Sequence, residues 1–271
     1  MNEKDKSGGL ALDWRKHTCI DRVIPPGLIP GYDIVSKVAS KHAKGIMESK
    51  PPGQLDASSV ITAKMAVVAS KKWEDGKTLR CHFLDGSATQ RQKVQNNAQK
   101  WQQYANITFS FVSNPGAEIR ISFVADPGSW SAVGTDCLIE QYFPIHQPTI
   151  NFGWLRDGTD DKEYQRVVVH EFGHALGCIH EHQSPKENLK WNRDAVYAAF
   201  SGPPNNWTKE EIDHNILDKY SPNGIDATAF DVKSIMLYQF DASLFTDHKA
   251  TPLNYQLSSH DETFIKTMYP K

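Results

Sequence analysis

The feature that most restricts this chain is the run His170-Glu171-Phe172-Gly173-His174-Ala175-Leu176-Gly177-Cys178-Ile179-His180. His170 and His174 stand four apart, so on a helix their imidazoles leave one face, one turn apart, and can reach one ion. Zinc takes nitrogen ligands at about 2.0–2.1 Å in a roughly tetrahedral array. Two ligands from one helix leave that array incomplete. Gly177 offers the remedy, because glycine accepts the left-handed backbone that ends a helix, after which the chain can turn and return His180 to the same ion. Glu171 is not needed as a ligand. It is placed to take a proton from a water at the remaining corner, acidified by the metal, for attack on a carbonyl polarised by the same ion. Val167-Val168-Val169 just upstream is apolar and β-branched, which predicts that this helix is buried.

Around this run the pattern predicts an α+β chain with its sheet in the N-terminal half. Leu79 to Leu84 reads as a strand, and Ser87 as the N-cap of a helix continuing to Tyr104. Ile107 to Val112 and Glu118 to Val124 alternate apolar and polar residues, the pattern of half-buried strands. Thr149 to Trp154 is a further strand, and a helix runs from about Asp161 to Leu176. Beyond Gly177 the chain is loop-rich and helical. Asn192 to Phe200 is a short helix, Thr208 to Glu211 is a capping box, and the segment from Ser259 opens a last helix with Phe264, Ile265 and Met268 on its apolar face.

Composition excludes other classes. Thirty basic against thirty-two acidic residues leave a net charge of −2, without the basic excess of a nucleic-acid binder. No apolar run approaches the roughly 20 residues of a membrane span. Residues 1–57 stand apart: Gly8-Gly9, Pro25-Pro26, Pro30-Gly31 and Pro51-Pro52-Gly53 punctuate them, with room for one helix over Asp33 to Ser49. They read as an extension laid on a domain spanning 58–271. No secretory signal is visible in Met1 to Leu10. Four cysteines, Cys19, Cys81, Cys137 and Cys178, allow three complete pairings between which the sequence does not choose.

The run His-Glu-x-x-His-x-x-Gly-x-x-His, with Ser234-Ile235-Met236-Leu237-Tyr238 downstream as a Met-turn, resembles the metzincin zinc peptidases. Glu181 after the third histidine and Tyr238 two residues after the methionine resemble the astacin branch. The likeness covers roughly Ser58 to Pro270. Gly128 to Gly134 is similar to the rim above the cleft, and Ile150-Asn151-Phe152-Gly153 stands where the substrate-binding edge strand would be. The resemblance implies a metzincin-type zincin fold: a twisted sheet with long helices above a horizontal cleft, an irregular lower half, and a zinc endopeptidase acting on protein or peptide. His170, His174 and His180 would ligate Zn2+, and Glu171 would be general base and acid. Met236 would floor the metal. Tyr238 would be an extra ligand at rest that swings to the tetrahedral oxyanion. The edge strand would pair with extended peptide. His182 reads as a neighbour of the site or a surface residue.

The resemblance also implies an extracellular setting, with a monomer as the default state. The continuation His182-Gln183-Ser184-Pro185 lacks the arginine common in animal astacins, and the cysteines do not match those enzymes' two disulfides by position. Segments before such domains plug the cleft. Cys19 could offer a thiolate to the zinc, and Asp33 is a weaker second candidate. Two other functions stay open: a non-catalytic peptide-binding protein on this scaffold, and a zinc amidohydrolase acting on non-protein amides.

Overall fold

The computed structural model describes residues 71–125, 128–184, 186–203, 205–219 and 230–271. Cys19, Asp33, the helix expected over Asp33 to Ser49 and the boundary at 57/58 lie outside the described residues. The strands are β1 (Thr78–Phe83), β2 (Thr108–Phe111), β3 (Ile119–Ser122), β4 (Trp130–Ser131) and β5 (Ile150–Asn151). The helices are α1 (Ala88–Ala98), α2 (Asp161–Ala175), α3 (Arg193–Ser201), α4 (Lys209–Ile212) and α5 (Ser259–Met268). The α+β class therefore holds.

The expected elements form for the expected local reasons. α1 opens on a capping box in which Ser87 Oγ accepts from the Gln90 amide at 3.1 Å and the Gln90 side chain accepts from the Ser87 amide at 2.8 Å. It stops at Ala98, short of Tyr104, and a tighter 3-10 turn follows over Trp101–Gln103. That turn delivers the Trp101 indole N–H to the Val169 carbonyl of α2 at 2.8 Å. A tertiary hydrogen bond thus accompanies the end of the regular helix.

The sheet order is β2-β1-β3-β5-β4, parallel throughout except that β4 runs antiparallel to β5. This corrects the expected edge. Ile150-Asn151 is an interior strand paired on both sides, and among the described strands the outermost place beside it belongs to Trp130-Ser131, within the segment read as the rim. The chain folds back here because Asn151 Nδ2 donates to the Gly128 and Val124 carbonyls and the Ala132 amide donates to the Thr149 carbonyl at 2.8 Å. The backbones pass so closely that a Cβ at Gly153 would lie 2.4 Å from the Gly128 carbonyl carbon.

β3 is also more enclosed than its alternation suggests, with all four residues buried. The reason is Arg120, whose guanidinium donates to the carbonyls of Gln147 (2.7 Å), Phe143 (2.9 Å) and Ala117 (3.2 Å). It ties the 139–148 loop over the outer face of the sheet.

Two cores result. The larger joins the inner sheet face, α1, α2 and α5, and takes in Ile235 and Met236. The smaller is built from α3, α4 and the following turn, and takes in Tyr238, Phe240 and Phe245. Cys81, Cys137 and Cys178 are buried free thiols, pushed up in pKa by burial, which makes them unreactive. No helix among the described residues is long and apolar enough to cross a membrane.

α2 is the element that positions the site. Asp160 caps its start, accepting from the Lys162 amide at 2.8 Å, and Asp161 and Glu163 complement the helix dipole. At its end, carbonyls that lack intrahelical partners are taken by side chains from far along the chain. Trp73 Nε1 donates to the Ala175 carbonyl at 2.9 Å and Tyr269 Oη to the Leu176 carbonyl at 2.7 Å. Tyr269 Oη also accepts from the Trp73 amide at 3.2 Å, and its ring is fully buried. Tyr269→Phe therefore strands one acceptor and one donor. It is expected to lower unfolding free energy by about 1–3 kcal/mol in urea titrations.

Candidate metal centre

The geometry of the site begins with how α2 ends. Gly177 has φ +93°, the left-handed conformation anticipated for it. The Cys178 amide donates to the Gly173 carbonyl at 3.0 Å and the Gly177 amide to the His174 carbonyl at 2.7 Å. This pair is the Schellman motif. It stops the helix at Ala175, directly after His174, and reverses the chain, so that His180 comes back over the face carrying His170 and His174.

The three histidines, all buried, bring their Nε2 atoms together. His170 and His174 are 3.2 Å apart there, His170 and His180 3.3 Å, and His174 and His180 3.0 Å. A tetrahedral ion with the usual zinc–nitrogen bonds sets neighbouring donors roughly 3.3 Å apart. The protonation pattern points the same way. His170 Nδ1 lies 2.8 Å from the Ile235 carbonyl and His174 Nδ1 lies 2.9 Å from the Cys178 carbonyl. A carbonyl only accepts, so both Nδ1 atoms carry the hydrogen, and in the neutral rings both Nε2 atoms present lone pairs. Lone pairs facing each other at this distance in a buried site repel unless a cation lies between them. Burial, and then the neighbouring His174 and His180, hold His170 well below the usual histidine range. The residues fit a zinc ion, and both carbonyl acceptors orient the rings as outer partners of such a site do.

The Met-turn locks this arrangement from below. Ile235 supplies the carbonyl behind His170, and the Met236 carbonyl accepts from the Glu181 amide at 3.0 Å. The Met236 side chain packs against α2 where Gly173 leaves room: a Cβ there would stand 2.5 Å from its sulfur. Met236 is buried next to His174's turn of helix, which fits the floor expected of it. Holding the turn is Asp261 in α5. One carboxylate oxygen accepts from Ser234 Oγ at 2.7 Å, and the other from the amides of Ile235 (2.8 Å) and Ser258 (2.9 Å). Glu181, after the third histidine, accepts from the Asp231 amide at 2.8 Å. Burial pushes its carboxyl up to about 7, against that amide and with the help of the Asp261 and Asp231 charges.

Glu171 is buried on α2 beside His170, and Tyr238 is buried with its ring over two of the histidines. The Tyr238 ring centroid lies 4.2 Å from that of His180 and 5.6 Å from that of His170, nearly parallel to the latter at 29°. The three histidines thus converge, with Glu171 beside one of them in sequence and the Tyr238 ring against two of them. Asp261 was not anticipated as part of the site, and of the two readings of His182 the neighbour of the site is the one that forms. In the sequence Asp261 stands only within the run Ser259 to Glu262 that opens the last helix; the structure makes Ser258 the N-cap with Asp261 as its capping-box partner, and both Asp261 oxygens also serve the Met-turn. His182 is fully enclosed rather than a surface residue.

Asp261→Ala leaves the Ile235 and Ser258 amides and the Ser234 hydroxyl without their acceptor. Zinc affinity measured by competition with a chelator is expected to fall about 10- to 100-fold, with the Met-turn no longer fixed behind His170.

Comparison with known proteins gives the context. The model of the peptidase family described as Astacin matches residues 66–264. A solved structure of myroilysin is 42% identical, covers 75% of this chain and 98% of its own, and superposes with a TM-score of 0.72. A crystal structure of myroilysin, also 42% identical, covers 74% of this chain and 87% of its own, with a TM-score of 0.60. High choriolytic enzyme 1, a hatching enzyme zinc-protease from the medaka fish Oryzias latipes, is 19% identical. It covers 74% of this chain and 95% of its own at a TM-score of 0.52, a likeness of fold. A search of curated proteins returned no match. With a fold, a histidine triad and a family match that agree, the chain belongs to the astacin family of zinc-dependent metallopeptidases.

Proposed function

We infer that this chain is an endopeptidase in which His170, His174 and His180 hold the zinc, Glu171 carries the proton and Tyr238 steadies the oxyanion. The observation that carries this reading is the buried Nε2 triangle with the Tyr238 ring lying across it. When bound, zinc supplies a Lewis acid that acidifies water and polarises the scissile carbonyl. Glu171 neighbours a ligand without being needed as one. As a base it takes the proton of the attacking water, and as an acid it passes that proton to the departing amine. Tyr238 would be an additional ligand of the zinc at rest, and with substrate bound its hydroxyl would donate to the oxygen on which charge accumulates.

Protein and peptide are the substrates of the family, and the sheet edge supports an extended peptide here. β4 is the outermost described strand on its side of the sheet, and a substrate running alongside it would gain backbone hydrogen bonds. Residues 1–57 are an extension preceding a catalytic domain over 58–271. They keep the enzyme latent through Cys19, whose thiolate would occupy the corner that substrate needs. An extracellular setting belongs to the same reading.

Glu171→Ala is expected to retain stoichiometric zinc and to lose cleavage of casein or of a peptide library. Chelator should abolish the parent's activity, and restored zinc should return it. A Glu171→Ala protein that still cleaves would remove Glu171 from the mechanism. Tyr238→Phe is expected to lower kcat by about 10- to 1000-fold, the range for loss of one oxyanion donor. For latency, removal of residues 1–57 or Cys19→Ala is expected to raise activity; unchanged rates in both would end that part of the reading.

A further inference from the structure

Beyond the triad lies an imidazole that the chemistry above does not use. His182 follows His180 by two residues and is 1% exposed. Its Nε2 lies 3.1 Å from the carbonyl oxygen of Asn215, so that nitrogen carries the hydrogen and donates. The carbonyl comes from an unusual place. Residues Asp213–Leu217 form a π-helical turn, closed by the Asp218 amide on the Asp213 carbonyl at 2.7 Å. The wider turn presents the carbonyls of His214 and Asn215 to side chains. Gln183 Nε2 donates to the first at 2.6 Å and His182 to the second. Such single π-turns are frequent at functional sites.

The ring so fixed faces Tyr238. Their centroids are 4.8 Å apart with 33° between the planes. His182 also lies 5.2 Å from His180 at 26°, and Tyr238 lies 4.2 Å from His180. The three rings therefore make a closed triangle with the phenol as one corner. Phe240 meets His182 edge-on at 5.1 Å and Tyr238 edge-on at 5.6 Å, which closes the outer side. A phenol that must occupy one position at rest and another in the transition state needs a surface that guides it and does not itself turn.

We propose that His182 is the positioning residue for Tyr238: its imidazole, locked in orientation by the Asn215 carbonyl, is the flat wall along which the phenol moves between the metal and the oxyanion. The proposal rests on the role given to Tyr238 above. A phenylalanine at 182 would fill the space but leave the Asn215 carbonyl unpaired and the ring free to tilt. A glutamine would keep a donor but lose the plane.

The test is a double-mutant cycle on the protein in its cleaving form, with His182→Phe, Tyr238→Phe and the two together, alongside zinc content and thermal denaturation. His182→Phe is expected to lower kcat roughly tenfold with little change in KM, as loss of an outer partner of a metal site does. In the Tyr238→Phe background it should lower kcat no further. A second readout needs no turnover. Loaded with copper(II), the parent should show a visible phenolate-to-copper absorption that Tyr238→Phe abolishes and His182→Phe shifts or weakens. If the two substitutions multiply, or if the copper band is unaltered in His182→Phe, the proposal is overturned while the role of Tyr238 stands. If Tyr238→Phe alone keeps the parent's kcat and copper band, it is the role of Tyr238 that fails, and the proposal with it. Should His182→Phe fail to fold, His182→Gln takes its place in the same cycle with the same criteria.

Discussion

Buried imidazoles whose lone pairs converge on one point are the constraint around which the rest of this fold is arranged. His170, His174 and His180 bring their Nε2 atoms to 3.0–3.3 Å of one another, a geometry that is repulsive without a cation at its centre. Holding it requires that each ring be oriented and the chain be turned sharply. The Schellman turn at Gly177 does both, since it reverses the backbone and leaves the Cys178 carbonyl behind His174. The Met-turn supplies the carbonyl behind His170, and Asp261 fixes the Met-turn. Trp73 and Tyr269 then take the carbonyls that end α2. Each layer satisfies polar groups that the layer inside it leaves open, as buried polar groups demand.

What could be read along the chain follows from how local each cause is. The i, i+4 histidines, the glycine after the helix and the returning histidine all depend on backbone conformation within one short run. They appear in the structure as the sequence suggests. Capping boxes at Ser87 and Thr208 are equally local and equally legible. The edge of the sheet was not. Trp130-Ser131 and Ile150-Asn151 are both short strands, and which lies outermost depends on a fold-back held by Asn151 side-chain hydrogen bonds to Gly128 and Val124. The role of Asp261 was hidden for the same reason, since its partner Ile235 is 26 residues away. His182 carried no periodic signal at all, as its burial is made by Trp191, Phe240 and the π-turn.

Arg120 shows how a charged residue can serve as a framework. Its guanidinium is buried and faces backbone carbonyls, with burial pulling it below the usual arginine range against the more distant Glu140 carboxylate. Carbonyl dipoles replace the water it has lost. The result is a loop bound to the outer sheet face through main-chain atoms, indifferent to the loop's own side chains. That leaves β4, beside the loop, as a short strand backed by a firm sheet and outermost among the described strands on its side.

Met236 and Tyr238 are separated by one residue, yet they belong to different cores. The methionine is seated in the half that carries α2, while the tyrosine is seated in the half built from α3 and α4. Leu237 is thus the seam between two packing units. On the reading proposed above, displacement of the second unit would carry the phenol away from imidazoles anchored through Ile235, Cys178 and the Met236 carbonyl, so that admission of a substrate and release of the resting ligand would become one displacement.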